Sequence, residues 1–123
     1  LPRVTDFNQN GWPELVMNQY KNGQSFGPLA IYEWNGRDFA KAYQTDYVAI
    51  PRDAADVNGD RRPELLAGAG GTTYLFARGA DGWPSRLVWW DSSDVWASRL
   101  VDLDGDGKKD ILARKGTVFT LFH

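Results

Sequence analysis

One nine-residue acidic pattern occurs three times in this chain, and it constrains the fold more than any other feature. It reads Asp6-Phe7-Asn8-Gln9-Asn10-Gly11-Trp12-Pro13-Glu14. It returns as Asp56-Val57-Asn58-Gly59-Asp60-Arg61-Arg62-Pro63-Glu64, and again as Asp102-Leu103-Asp104-Gly105-Asp106-Gly107-Lys108-Lys109-Asp110. An aliphatic pair follows each copy: Leu15-Val16, Leu65-Leu66 and Ile111-Leu112. From Asp6 to Asp56 and from Asp56 to Asp102 the steps are 50 and 46 residues. Recurrence at a fixed period marks one supersecondary unit repeated, and this period suits a four-stranded propeller blade better than a helical repeat.

The segments between the loops have strand composition. Leu29–Trp34 runs into the turn Asn35-Gly36, Thr72–Phe76 into Arg78–Gly82, and Thr117–Phe122 closes the chain. These are β-branched and aromatic runs bounded by Gly, Asn and Asp. No window of about 11 residues holds a helical apolar stripe free of Gly or Pro. The expectation is an all-β chain: about three four-stranded antiparallel blades of a β-propeller, with the ring incomplete. Each repeat places one strand before the acidic loop and one directly after it. Repeat 1 covers about 1–47, with strands near 1–5, 14–19, 29–35 and 38–47. Repeat 2 covers about 48–94, with strands near 48–54, 64–69, 72–78 and 85–91. Repeat 3 covers about 95–123, with strands near 95–101, 110–115 and 116–122, and lacks its outer strand. Apolar residues on both faces of the strand after each loop suit an inner strand buried on two sides. Closed propellers have about 4–8 blades, so open edges would remain as pairing surfaces. Further blades of a parent chain, a partner chain or self-association would complete the ring. The start at Leu1 and the missing last strand favour a fragment of a longer propeller over a homodimer of half-rings.

The loops carry hard oxygen ligands at positions 1, 3, 5 and 9, with a backbone carbonyl offered at position 7. The predicted sets are Asp6, Asn8, Asn10, Trp12 and Glu14; Asp56, Asn58, Asp60, Arg62 and Glu64; and Asp102, Asp104, Asp106, Lys108 and Asp110. Trp12, Arg62 and Lys108 would contribute their carbonyls. Six to eight oxygens at about 2.3–2.6 Å describe Ca2+, whereas Mg2+ demands stricter octahedral geometry and holds its waters. An EF-hand needs an acid at position 12, where this chain has Met17, Ala67 and Ala113. Up to three Ca2+ are expected. Ligand charge rises from loop 1 to loop 3, so the expected affinity order is third, second, first. Position 6 must turn sharply and favours Gly; Arg61 occupies it in the second loop, where positive φ would cost about 1–2 kcal/mol. The competing reading is a set of polar hairpin loops held by Asx turns without metal. Three copies in register weigh against it, as do four carboxylates crowded in the third loop.

On these loops, each followed by Leu or Ile and a second apolar residue, the chain resembles FG-GAP/VCBS-type repeats over essentially its whole length. Such repeats build β-propellers, including those of integrin α subunits and of some fungal and bacterial lectins. The resemblance implies Ca2+ that rigidifies each blade, and ligands bound on surfaces elsewhere. It implies a binding or cell-adhesion module, not an enzyme, with a protein or glycan ligand. The rival expectations are a non-catalytic accessory part of a secreted carbohydrate-active enzyme or toxin, and a structural subunit of a larger assembly. Weak multi-acid loops fill where calcium is abundant, so the expected location is extracellular, periplasmic or at the cell surface.

Composition narrows the alternatives. The absence of Cys and a single His, the terminal His123, remove thiolate sites and histidine-based triads. A balance of 14 basic to 16 acidic residues gives no footprint for nucleic acid, and no apolar run reaches the length of a membrane span. Six Trp are present. Trp83, Trp89, Trp90 and Trp96 are candidate ligand-binding aromatics, to be weighed against the favoured reading of aromatic packing between blades. Trp89 and Trp90 should point to opposite faces of a strand, which exposes one of them.

Overall fold

The computed structural model describes residues 3–18, 27–92, 95–102, 105, 109–115 and 118–122. The expected eleven strands form, within two residues of the boundaries read from the sequence. They are β1 (Arg3–Thr5), β2 (Glu14–Asn18), β3 (Pro28–Trp34), β4 (Phe39–Val48), β5 (Ile50–Ala55), β6 (Glu64–Ala69), β7 (Thr72–Ala77), β8 (Arg86–Asp91), β9 (Val95–Val101), β10 (Asp110–Lys115) and β11 (Val118–Phe122). None of the described residues is helical. The strands form two four-stranded sheets, β1-β2-β3-β4 and β5-β6-β7-β8, and a three-stranded sheet, β9-β10-β11. Every pairing is antiparallel between sequence neighbours, and no sheet closes on itself.

The sheets pack on one another in chain order. β5 lies against β1 and β2 on one side and against β9 on the other. The strand period of two sends alternate residues to opposite faces, and β6 uses both. Leu65 and Ala67 enter a core with Phe7, Val16, Leu29 and Ile31 of the first sheet. Leu66 enters a second core with Leu100, Ile111 and Ala113 of the third. Glu64 to Gly68 are therefore all buried. Two polar ties reinforce the second seam: Leu100 N–H donates to Asp53 Oδ2 at 2.9 Å, and Arg99 Nη1 donates to the Arg52 carbonyl at 2.9 Å. The first seam is aromatic, with Tyr47 against Tyr74 and Phe76 at centroid distances of 5.2 and 5.0 Å.

Register makes the first two sheets directly comparable. Leu15 pairs with Tyr32, and Leu65 pairs with Phe76, so Tyr32 corresponds to Phe76 and Ile31 to Leu75. Both sheets carry a β-bulge at this same step, between Ile31 and Tyr32 and between Leu75 and Phe76. The extra residue is Ala42 on β4 and Val88 on β8. A bulge of this kind reverses which parity of residue faces the core. As a result Leu87 sits opposite Phe76 and joins the first core, while Trp89 sits opposite Leu75 and joins the second. Trp89 thus occupies in sheet two the place that Tyr43 occupies in sheet one.

Candidate metal-binding loops

Each acidic loop joins the first and second strands of its sheet and is shaped by its own side chains. In the second loop Asp56 accepts the amides of Gly59 and Arg61, at 2.8 and 2.7 Å on its two oxygens. Asn58 Oδ1 accepts Asp60 N–H at 3.1 Å, and Asp60 Oδ1 accepts Arg62 N–H at 2.8 Å. Glu64, buried at the head of β6, closes the loop by accepting Val57 N–H at 2.6 Å. The first loop repeats the design. Asp6 Oδ2 accepts Gly11 N–H at 2.9 Å, Asn8 Oδ1 accepts Asn10 N–H at 3.2 Å, and Asn10 Oδ1 accepts Trp12 N–H at 2.9 Å. Buried Glu14 accepts Phe7 N–H at 2.6 Å. The third loop begins alike, with Gly105 N–H on Asp102 Oδ1 at 2.9 Å, and Asp110 opens β10. Asp104, Asp106 and Lys108 lie outside the described residues.

These bonds hold side-chain oxygens in one small volume. Carboxylate oxygens of Asp56, Asp60 and Glu64 all lie within 4.8 Å of one another. The electrostatic consequence is visible at the acid in position 9. Burial pushes the Glu64 carboxyl above the usual range, the Val57 amide opposes that shift, and the charges of Asp60 and Asp56 add to it. Glu14 is raised for the same primary reason, burial, against the pull of the Phe7 and Asn8 amides. In both loops, then, burial is the main cause that holds the position-9 carboxyl toward its protonated form.

The left-handed positions are more numerous than the sequence reading expected. Arg61 has φ +66°, as position 6 requires, beside Gly11 at +89°. Position 4 is also left-handed in all three loops: Gln9 at +59°, Gly59 at +81° and Gly105 at +76°. The Gly at position 4 of loops two and three was the available signal for it. Loops one and two therefore each hold one non-glycine residue in a region that L-residues avoid. The two are joined, because Gln9 Nε2 donates to the Arg61 carbonyl across the seam between sheets.

The candidate ligand-binding tryptophans divide. Trp83 is half-buried, stacks on Tyr43 at 6.3 Å and packs on the first core. Trp89 packs on the second core. Trp90 is 59 % exposed, so the pair does face opposite ways. Trp96 falls in β9, and its side chain is outside the described residues. The exposed aromatics that the sequence reading missed are on the first sheet. Trp12 is 65 % and Trp34 44 % exposed, and Phe39 stands edge-on to Trp34 at 5.3 Å.

Residues 56–113, from the second loop into β10, match the model of the FG-GAP-like repeat. No curated protein and no solved structure matches the chain. Two of the three acidic loops lie inside that matched segment, and through it the chain carries a repeat of the FG-GAP type.

Proposed function

We propose that the chain is a set of β-propeller blades stabilised by Ca2+ in its acidic loops, serving as a non-catalytic binding or adhesion module. The observation that carries the metal reading is the convergence of Asp56, Asp60 and Glu64. Oxygens at about 2.3–2.6 Å from one cation can stand up to about 4.6–5.2 Å apart. Three oxygens within 4.8 Å of one another lie no more than about 2.8 Å from a common centre, so all three reach one Ca2+ with at most a few tenths of an ångström of closure. The donor set is all hard oxygen, which suits Ca2+ over softer metals. Each carboxylate has about four acceptor directions, so the amide bonds that shape the loop leave room on Asp60 and Glu64. Loop one would add Asp6, Asn8, Asn10 and Glu14, and loop three Asp102 and Asp110 with Asp104 and Asp106; the carbonyls of Trp12, Arg62 and Lys108 are the position-7 ligands. When bound, the ion supplies the positive charge that the buried position-9 carboxylates call for.

The propeller arrangement is supported by the equivalence of the two cores. Phe7, Val16, Ile31 and Tyr43 face forward from sheet one, and Val57, Leu66, Leu75 and Trp89, their register equivalents, face forward from sheet two. Leu65 and Ala67 face back, as do Ile111 and Ala113. Repeating one face-to-face relation generates a ring when the rotation closes. A protein or glycan partner on an extracellular, periplasmic or cell-surface module is the reading in keeping with Ca2+ supply. Thermal melts with Ca2+ and with chelator test it. Binding to the folded state alone raises the melting temperature, and Asp56→Ala should remove much of that rise. An identical melt in both conditions rules the metal out.

A further inference from the structure

We infer that Trp12 and Trp34 form a saccharide-stacking platform on the first sheet. The two indoles line one open groove of about 370 Å3 with Asn35 and Gly36. The internal repeat shows that the fold does not need aromatics there. By register, Trp12, Trp34 and Phe39 correspond to Arg62, Arg78 and Ser85 of the second sheet. Arg78 is exposed, and that sheet is built equally well without an aromatic at any of the three places. Packing therefore does not explain large apolar rings left 65 % and 44 % exposed.

The backbone under Trp12 and the ring of Trp34 are both held in place. Trp12 sits at position 7 of the first loop, its amide fixed by Asn10 Oδ1 at 2.9 Å. Trp34 is braced edge-on by Phe39. Asn8 Nδ2 donates to Glu33 Oε1 at 2.8 Å and so ties the loop to the residue before Trp34. A braced ring such as Trp34 loses little entropy to a ligand. The groove is bordered by the exposed turn Asn35–Asp38, in which Asn35 Oδ1 accepts the amides of Arg37 and Asp38 and the exposed Arg37 and Asp38 side chains supply a donor and an acceptor at the edge. Flat apolar faces edged by both kinds of hydrogen-bonding group complement a pyranose, whose C–H faces are apolar and whose hydroxyls lie at its rim. A purely apolar partner would leave that rim unpaired.

The inference rests on the reading of a Ca2+-ordered binding module, and the test separates the two. Cello-, chito-, manno- and laminarihexaose are titrated into the chain by calorimetry, with decaproline as the peptide arm and Trp90→Ala as the control. At least one hexasaccharide should bind, and Trp12→Ala and Trp34→Ala should each weaken it about tenfold or more, with Trp90→Ala unchanged. Trp12 is mostly solvent-exposed, so its variant should keep the wild-type melt. Four blank titrations, binding of decaproline alone, or an equal loss in Trp90→Ala each overturn the platform. Binding that persists in chelator beside a melt indifferent to Ca2+ overturns the metal reading and leaves the platform standing.

Discussion

Arg61 is held at φ +66° in a loop whose first-repeat counterpart, Gly11, has φ +89°. A left-handed L-residue costs about 1–2 kcal/mol, and Gly gives back part of that through its freer unfolded chain. Arg61→Gly should therefore stabilise the protein by about 1 kcal/mol in urea titration, with an unchanged slope. Gln9, at +59°, is a different case, because its side chain also donates to the Arg61 carbonyl. Gln9→Gly relieves the backbone and removes a hydrogen bond of about 0.5–1.5 kcal/mol, so its net effect should lie near zero. The pair of results distinguishes strain from contact at one seam. The strain at Arg61 was legible in the sequence because the repeats align it with Gly11 and Gly107. The strain at Gln9 has a fainter signature, the Gly59 and Gly105 that share its place in the other two loops, because position 4 supplies no ligand oxygen to the acidic pattern.

Strand positions followed from composition, because β-branched runs between Gly-, Asn- and Asp-rich turns leave few alternatives. The facing of the strands did not. Leu87 and Trp89 share one parity and a simple alternation puts them on one side, but the bulge at Val88 sends them to different cores. Pairing register is a long-range property, so a reading of one strand at a time cannot see the bulge. The same cause hid the exposed aromatics: whether Trp34 or Trp83 meets solvent depends on which sheet packs over it, not on its neighbours in sequence. Val88 is 43 % exposed, so Val88→Ala should alter stability by less than about 0.5 kcal/mol. Deleting Val88 makes Leu87 and Trp89 consecutive, so plain alternation then supplies the same pairs, Leu87 with Phe76 and Trp89 with Leu75. The deletion should therefore keep a single cooperative melt, as the alanine variant does. Loss of that cooperative melt in the deletion alone would show that the sheet needs the bulge itself and not only the facing it produces. Trp89→Tyr, by contrast, installs the residue that sheet one already uses at Tyr43 and should cost less than about 1.5 kcal/mol.

At the scale of the molecule, the acidic loops should couple stability to pH in a way that depends on the cation. Glu14 and Glu64 are both raised above the usual carboxylate range, chiefly by burial. Without metal, the folded state then holds these protons more tightly than the unfolded chain. Through the window that starts near 4.5 and runs up to the raised values, the folded state binds more protons, and stability falls as pH rises. In chelator the melting temperature should therefore climb on acidification from neutral toward that window, until other carboxylates reverse it. If the loops take Ca2+ as proposed, the sign inverts, because protons and metal compete for the same oxygens and ligands must be deprotonated to bind. In millimolar Ca2+ the melting temperature should fall over the same interval. Two melting-temperature curves between pH 4.5 and 7.5 should converge at the acid end and separate toward neutrality. Replacing both acids, Glu14→Gln with Glu64→Gln, keeps an oxygen for the Phe7 and Val57 amides and removes the two buried charges. That variant should melt higher than the parent in chelator, show a flatter pH profile, and gain less from Ca2+. If it melted lower than the parent in chelator and kept the parent's slope, the buried position-9 acids would not be the source of the coupling, and any gain from Ca2+ would have to arise from Asp56, Asp60 and their counterparts alone.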